Sequence, residues 1–300
     1  MSAVAQPTPM APTATTAVGR PAWRGRRYRW TDVVALVALG LVAVLTLMPF
    51  IWMLSTSLRL PRESFSLPPQ WLPTDWRWEN YRAVFESNVP ILRFAYNSLK
   101  VTFFVTLGQL LTCSMAGFAF ARLRFPARNL LFILLLASLM VPTQVTVIPI
   151  FVIMRNLGLI NNHLSIILPF VTSAFGVFLM RQFFLTLPQD LIDAAKVDGA
   201  GPWTIYWQIA MPLAGPSLAA LAIININATW NSYFYPLIFL NTWEQMTLPL
   251  GITALRGYMA SGNAAVVMAA VTLSILPVLV LFLIAQRWFI AGITQTGLKG

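Results

Sequence analysis

The sequence predicts an all-helical integral membrane protein with six transmembrane helices and both termini in the cytoplasm. Of its 300 residues, 58% are hydrophobic and 10% are charged, and the mean hydropathy is +0.71. A typical soluble domain is about 25% charged, so the composition belongs to a membrane protein. Six uncharged stretches are long enough to cross about 30 Å of hydrocarbon. They lie at residues 33–54, 101–121, 130–154, 164–180, 213–235 and 264–285.

The chain begins with a tail, residues 1–30, that we predict to be disordered and basic. The apolar stretch that follows is longer than the core of a secretory signal, and it ends in MPFIWML rather than at a small-residue cleavage site. We therefore assign it as a retained helix and place the six-helix membrane domain at residues 31–286.

Residues 60–93 form the largest predicted segment outside the membrane on the outer side. This segment contains Trp71, Trp76 and Trp78, and tryptophan is enriched at the headgroup region of membranes. We expect these rings to anchor the segment at the interface.

The third apolar stretch contains Pro142 and Pro149 with Gln144 between them. Proline interrupts a helix, and irregular backbone at membrane depth is tolerated where neighbours or cavity water satisfy it. The pattern predicts a broken helix.

A loop at residues 186–212 separates the fourth and fifth stretches. Thr186 and Gln189 have the spacing of a capping box, and apolar residues at helical spacing predict a helix that ends near Asp198. Gly199 then permits a sharp turn, and Pro202 opens a second helical run. The prediction is helix, tight turn, helix.

The same loop contains Asp193-Ala194-Ala195, then Gly199 after three residues, then Ile209-Ala210-Met211-Pro212 after nine more. This spacing resembles the Glu-Ala-Ala loop of permease subunits in binding-protein-dependent ABC importers, with Asp193 in place of Glu and Met211 in place of Leu. The fuller run is similar to the carbohydrate-importing branch, the maltose and glycerol-phosphate type. The resemblance implies a coupling helix whose Ala194 and Ala195 face a groove of the ATPase. The residues it assigns to ATPase coupling are Asp193, Ala194, Ala195, Asp198, Gly199, Ala200, Ile209 and Pro212.

Shorter matches extend this resemblance from about residue 49 to residue 300. Glu79-Asn80-Tyr81 and Asn97-Ser98-Leu99 precede the second stretch, as related triplets do in the family. The end of the chain, residues 287–300, is similar to a Gly-Thr-Gly-Lys-Gly tail, which implies a cytoplasmic tail that contacts the ATPase.

The basic residues indicate the orientation of the chain. With the N-terminus inside, twelve of the 20 Lys and Arg residues fall on the cytoplasmic side, beside the apolar stretches. This bias explains the net charge of +11 without nucleic-acid binding, since the cations are not gathered on one face. The twelve are Arg20, Arg24, Arg26, Arg27, Arg29, Arg122, Arg124, Arg128, Arg181, Lys196, Arg287 and Lys299.

Amides within the apolar stretches are candidates for a translocation pathway. Polar side chains in hydrocarbon either join helices by hydrogen bonds or line a path for solute. Both roles stay open for the four residues selected, which are Gln109, Gln144, Asn227 and Asn231.

Motifs for catalysis are missing from the sequence. A single cysteine and a single histidine exclude an intrachain disulfide and paired-His metal sites, and no GxxxxGK[ST] phosphate loop occurs. We expect no catalytic residue, metal or cofactor in this chain, and ATP bound by separate subunits.

Taken together, the resemblance implies a permease subunit that imports a sugar or sugar-like solute by alternating access in a bacterial or archaeal cytoplasmic membrane. The implied partners are a second permease, two ATP-binding cassette subunits, an extracytoplasmic solute-binding protein and membrane lipid. Alternatives are an ABC permease for another small solute such as an amino acid, a passive channel, and a membrane-embedded hydrolase or transferase.

Overall fold

The computed structural model describes residues 30–64, 71–257 and 263–297, with side chains described up to residue 284. Within these ranges the chain is helical and contains no strand, as predicted. The predicted disorder of the N-terminal tail and the last residues of the predicted C-terminal tail lie outside the described residues. The helices are α1 (Trp30–Ser57), α2 (Glu79–Glu86), α3 (Ile91–Arg122), α4 (Arg128–Ser138), α5 (Thr143–Asn156), α6 (Leu164–Ile167), α7 (Ala174–Thr186), α8 (Gln189–Val197), α9 (Pro202–Leu213), α10 (Gly215–Trp230), α11 (Phe234–Phe239), α12 (Leu248–Ile252) and α13 (Ala264–Gly297).

The chain divides into two compact units, Met1–Pro49 and Phe50–Gly300. The described part of the first unit is the N-terminal part of α1, which is strongly apolar. The second unit contains the end of α1 and all of the other helices. Every contact discussed below lies within the second unit.

Four segments are long and apolar enough to cross a membrane: Trp30–Ser57, Ile91–Arg122, Leu164–Thr186 and Ala264–Ile284. Two bent helix pairs bring the number to six if each pair counts as one span. The described residues therefore agree with a multi-pass permease and contain four to six candidate spans.

The predicted break in the third apolar stretch is present at Pro142, whereas Pro149 lies inside α5 and does not interrupt it. Helices α4 and α5 meet at an angle of 103°, and Pro142 is the residue that precedes α5. A second bend, of 75°, lies between α9 and α10. Within α9, before this bend, the backbone of Ile205–Ala210 forms a π-helix, a form that often marks functional sites in helices.

Helix α3 is the central helix of the second unit and packs against α7 and α10. Its crossing with α7 is close, because a Cβ on Gly117 would lie 2.7 Å from the Met180 Cβ and 2.8 Å from the Arg181 backbone nitrogen. Small residues permit such approaches between membrane helices. The buried side chains beside this crossing include Phe118, Phe184 and Tyr206.

Two helix boundaries differ from the sequence prediction. Helix α3 begins at Ile91, ten residues before the predicted stretch, because Arg93 and Lys100 ended the uncharged window but not the helix. Helix α13 runs on to Gly297, so most of residues 287–300 are helical. Charged residues near the ends of a span mark where the apolar stretch stops, and the helix itself continues past them.

Candidate functional site

Helix α8 is the helix predicted in the loop at residues 186–212. It covers Gln189–Val197, and Asp198 is its C-cap residue, which confirms the predicted end of the helix. The predicted capping box is wrong. Thr186 is the last residue of α7, and its hydroxyl donates to the Phe183 carbonyl at 2.8 Å, since Leu187 and Pro188 are extended and separate it from α8.

The end of α8 is a Schellman turn centred on Gly199. Gly199 has φ +80°, and its N–H donates to the Lys196 carbonyl at 3.0 Å. The Ala200 N–H donates to the Ala195 carbonyl at 2.9 Å, which completes the pair of bonds that defines this turn. Only glycine adopts such a positive φ without steric cost. The predicted sharp turn is therefore present, and Gly199 fixes the direction in which the chain leaves α8.

The two faces of α8 differ in burial. Ile192 and Ala195 are 3% and 8% exposed and pack against the chain's own core. Val197 is 88% exposed, and Ala194 is exposed beside it. The prediction that Ala195 faces outward is wrong, because Ala195 lies with Ile192 on the side of α8 that meets the bundle. The outward face carries Ala194 and Val197.

Arg122, the last residue of α3, anchors the beginning of α8. Its Nε donates to the Phe184 carbonyl at 2.8 Å and its Nη1 to Oε1 of Gln189 at 2.7 Å. Its Nη2 donates to the Leu187 carbonyl. One guanidinium thus joins α3, the end of α7 and the start of α8. In the sequence, Arg122 indicates only the cytoplasmic end of a span, and its position there gives no sign of this role.

We expect Arg122→Lys to loosen α8 although the charge is kept. An ammonium group cannot reach all three acceptors with the planar geometry of the guanidinium. The loss of two charge-assisted hydrogen bonds in a partly exposed place should cost about 2 kcal/mol. Thermal unfolding of the purified chain should show the loss, and Arg124→Lys at the neighbouring exposed arginine should have no effect. Equal unfolding temperatures for the two variants would contradict the anchoring role.

Asp193 lies on the exposed side of α8. Its Oδ1 accepts hydrogen bonds from Lys196 Nζ and from Gln189 Nε2, both at 3.0 Å. These two bonds, first that from Lys196, lower the pKa of Asp193 below its usual value. With Asp190 also exposed, the outward face of α8 combines two carboxylates with two small or branched apolar side chains.

Ile209 and Pro212 lie in α9, which leads from the turn into α10. Ile209 is half-buried against the core, and Pro212 is exposed. The firmest attachment of α9 is Tyr206, which is 2% exposed and shares a 2.8 Å hydrogen bond with the Ser114 hydroxyl of α3. Both ends of the loop are therefore bonded to α3, at Arg122 and at Ser114. These bonds connect α8 and α9 directly to α3.

Gln109 joins helices. Its Nε2 donates to the Phe170 carbonyl at 2.9 Å, and its Oε1 accepts from the Ser173 hydroxyl at 3.0 Å. These bonds hold the interruption between α6 and α7 against α3. The Ser173 hydroxyl also accepts from the Gly176 N–H and so caps α7.

The other three amides are exposed on the surface of the chain. Asn231 Nδ2 donates to the Asn227 carbonyl at 2.8 Å and to its Oδ1 at 3.1 Å. Gln144 is exposed at the start of α5, where the Tyr235 hydroxyl donates to the neighbouring Thr143 carbonyl at 3.4 Å. Among the described residues, none of these three amides forms a hydrogen bond to another helix, so a role in the translocation pathway stays a prediction for them.

This difference predicts opposite results for two leucine substitutions. Gln109→Leu should destabilise the chain by a few kcal/mol, because the Ser173 hydroxyl and the Phe170 carbonyl would lose a buried partner. Asn231→Leu should leave the unfolding temperature unchanged and lower the uptake of solute several-fold. Unfolding and uptake measured on both variants separate the roles. A destabilised Asn231→Leu chain would place Asn231 among the helix-joining residues.

Two asparagines, in the short matches Glu79-Asn80-Tyr81 and Asn97-Ser98-Leu99, join segments that are distant in the sequence through side-chain hydrogen bonds. Asn80 Nδ2 donates to the Ser57 and Arg59 carbonyls, each at 2.9 Å. Asn97 Nδ2 donates to the Glu244 and Met246 carbonyls, also at 2.9 Å. Each amide fixes a connecting segment to a helix, so these triplets have a structural role in this chain.

Comparisons with known proteins identify the family to which the chain belongs. Residues 113–295 match the family described as binding-protein-dependent transport system inner membrane component. The arabinooligosaccharides transport system permease protein AraQ of Halalkalibacterium halodurans is 39% identical over 205 residues, which cover 68% of this chain and 73% of that protein. The sn-glycerol-3-phosphate transport system permease protein UgpE of Yersinia enterocolitica is 32% identical over 278 residues, with 89% and 98% covered.

Among solved structures, the fold is similar to a chain in the crystal structure of a bacterial ABC transporter involved in the import of the acidic polysaccharide alginate. The TM-score is 0.77 at 25% identity, and the match covers 87% of this chain and 99% of that chain. A second structure, of an alginate ABC transporter in complex with a periplasmic protein that holds an alginate pentasaccharide, has a TM-score of 0.63 at 15% identity and covers 86% and 96%.

Proposed function

Because the chain belongs to the family of binding-protein-dependent transport system inner membrane components, we propose that it is the permease subunit of an ABC importer for a sugar or sugar-like solute. The relatives AraQ and UgpE are named for arabinooligosaccharides and glycerol 3-phosphate, and the structural relative is an importer of alginate. Sugars and glycerol 3-phosphate are both polar solutes that carry hydroxyl groups. The solute of this chain is of that chemical class.

The observation that carries the proposal is the geometry of α8. An amphipathic helix packs one face on the bundle, and its other face presents exposed apolar side chains between carboxylates. Such a face suits a groove on another protein. Arg122 and Tyr206 tie both ends of the loop to α3, so a pull on α8 reaches the membrane helices.

The mechanism that follows is alternating access. Closure of two ATPase subunits on ATP moves α8, and α3 with the helices packed on it turns to open the pathway on one side at a time. A partner permease supplies the other half of the pathway, and an extracytoplasmic binding protein delivers the solute. ATP binds to the partner subunits, because this sequence has no phosphate loop. In this arrangement the α8 loop and both termini lie in the cytoplasm.

The test is the ATPase activity of the purified importer. We expect hydrolysis to rise when the binding protein is loaded with an oligosaccharide, and no rise with the unloaded protein. A response to an amino acid with no response to any saccharide would assign the chain to an importer of another class.

A further inference from the structure

A cavity of about 210 Å³ lies inside the second unit, between α3, α6, α10 and α11. The exposed amides of Asn227 and Asn231 do not line this cavity. Its polar lining comes from side chains far apart in the sequence. They are Ser98, Gln109, Asn225, Thr229, Ser232 and Thr247.

The chemistry of this cavity is uncharged and rich in hydroxyl and amide groups. No residue that lines it is Asp, Glu, Lys, Arg or His. The aromatic rings of Phe170 and Tyr235 also line it and meet edge to face, with centroids 4.6 Å apart. Hydroxyls and amides bind sugar hydroxyls, and aromatic rings pack against the C–H face of a sugar ring.

The Thr247 side chain is a buried part of this lining. Thr247 is 4% exposed, and its Oγ1 has no hydrogen-bond partner among the residues that the structure describes. Buried hydroxyls nearly always have a partner, from protein, water or ligand. The Thr247 hydroxyl is therefore available to hydrogen-bond a water molecule or a ligand in the cavity.

Asn225 supplies a complementary donor. Its Oδ1 already accepts from the Thr106 hydroxyl at 3.2 Å and from the Thr229 hydroxyl at 3.0 Å. These two bonds fix the amide plane and leave the Nδ2 group to donate. The cavity thus offers an oriented amide donor and an unpartnered hydroxyl in the same small volume.

We infer that this cavity binds one neutral saccharide unit of the transported solute. The inference rests on the proposed function and narrows its substrate class. A phosphate or uronate group would lose its hydration in the cavity and meet no cation, which is strongly unfavourable. A neutral sugar ring loses only hydroxyl hydration, and the lining replaces it.

The test compares two equally buried threonines, one that lines the cavity and one that does not. Thr102 is also 4% exposed, and its Oγ1 also has no partner in the described part of the chain, but it does not line the cavity. Valine keeps the shape of threonine and removes the hydroxyl. Thr102→Val is therefore a matched control for Thr247→Val.

Two measurements are made with radiolabelled arabinotriose, glycerol 3-phosphate and an alginate trisaccharide. One is equilibrium binding to the purified full chain in nanodiscs, and the other is ATP-driven uptake by the complete importer. We expect Thr247→Val to weaken binding of arabinotriose and raise its KM at least fivefold, with an unchanged unfolding temperature. Thr102→Val should stay within twofold of the parent chain in both measurements.

The other outcomes would contradict the cavity as a sugar site, the neutral class of the solute or the proposed function. Equal effects of the two valine substitutions, or no binding of arabinotriose to the parent chain, would overturn the cavity as a sugar site. An effect of Thr247→Val confined to the two anionic solutes would overturn the neutral class. Binding of arabinotriose without ATP-driven uptake would leave the cavity in place and contradict the proposed function.

Discussion

Gly199→Val is expected to reduce ATP-driven uptake at least tenfold. Gly199 has φ +80°, and the left-handed region costs an ordinary residue about 1–2 kcal/mol and a β-branched residue more. A Cβ at this position would meet nothing within 4 Å, so the cost arises from the backbone alone. The turn would relax to negative φ, and the bonds from Gly199 and Ala200 to the end of α8 would break.

Gly199→Asn is the matched control, because asparagine tolerates the left-handed region better than other residues with a side chain. We expect Gly199→Asn to keep uptake within about threefold of the uptake by the parent chain. A tenfold loss corresponds to about 1.4 kcal/mol, and the backbone cost of asparagine at this turn should be smaller than that. Uptake and complex assembly should be measured together on both variants. Equal uptake by the Asn and Val variants would show that the backbone at this turn has no role in coupling.

Val197→Lys is expected to abolish binding of the ATPase subunits while the chain itself stays folded. Val197 is 88% exposed, so a lysine here has space and solvent in the isolated chain. A cation in the last turn of a helix is also favourable to the helix dipole. In the assembled importer the same lysine would be desolvated in the contact with the ATPase, at a cost of a few kcal/mol.

Two further variants serve as controls for this result, one for the added charge and one for the folding of the chain. Asn129→Lys adds the same charge at an exposed position of α4 and should leave ATPase binding intact. Ala195→Asp buries a carboxylate in the chain's own core and should lower the unfolding temperature of the isolated chain, which Val197→Lys should not. Pull-down of the ATPase with the purified variants, together with thermal unfolding, measures both effects. Normal ATPase binding by Val197→Lys would exclude the outward face of α8 from the contact.

Local features of the fold were predictable from the sequence. Pro142 indicated the break before α5, and Gly199 with the apolar spacing before it indicated the end of α8. Both depend on backbone rules that act within a few residues. The capping box failed because Thr186 belongs to the preceding helix, and a spacing rule does not distinguish the end of one helix from the start of the next.

The orientation of side chains could not be predicted in the same way. Ala194 and Ala195 are chemically identical, and only the packing of α8 on the bundle decides that Ala195 is the buried one. Gln109 has the same side chain as Gln144, yet the break at Ser173 supplies its partners. The cavity depends on residues more than 100 positions apart, so no local pattern indicates it.

The central claim is that this chain works only as one half of an ATP-driven pathway, and accumulation of a labelled oligosaccharide in proteoliposomes tests it most directly. The account predicts accumulation against a gradient only when this chain, its partner permease, both ATPases, the loaded binding protein and ATP are all present. Flux of the oligosaccharide through vesicles that hold this chain alone, at a rate independent of ATP, would contradict the account and identify a passive channel.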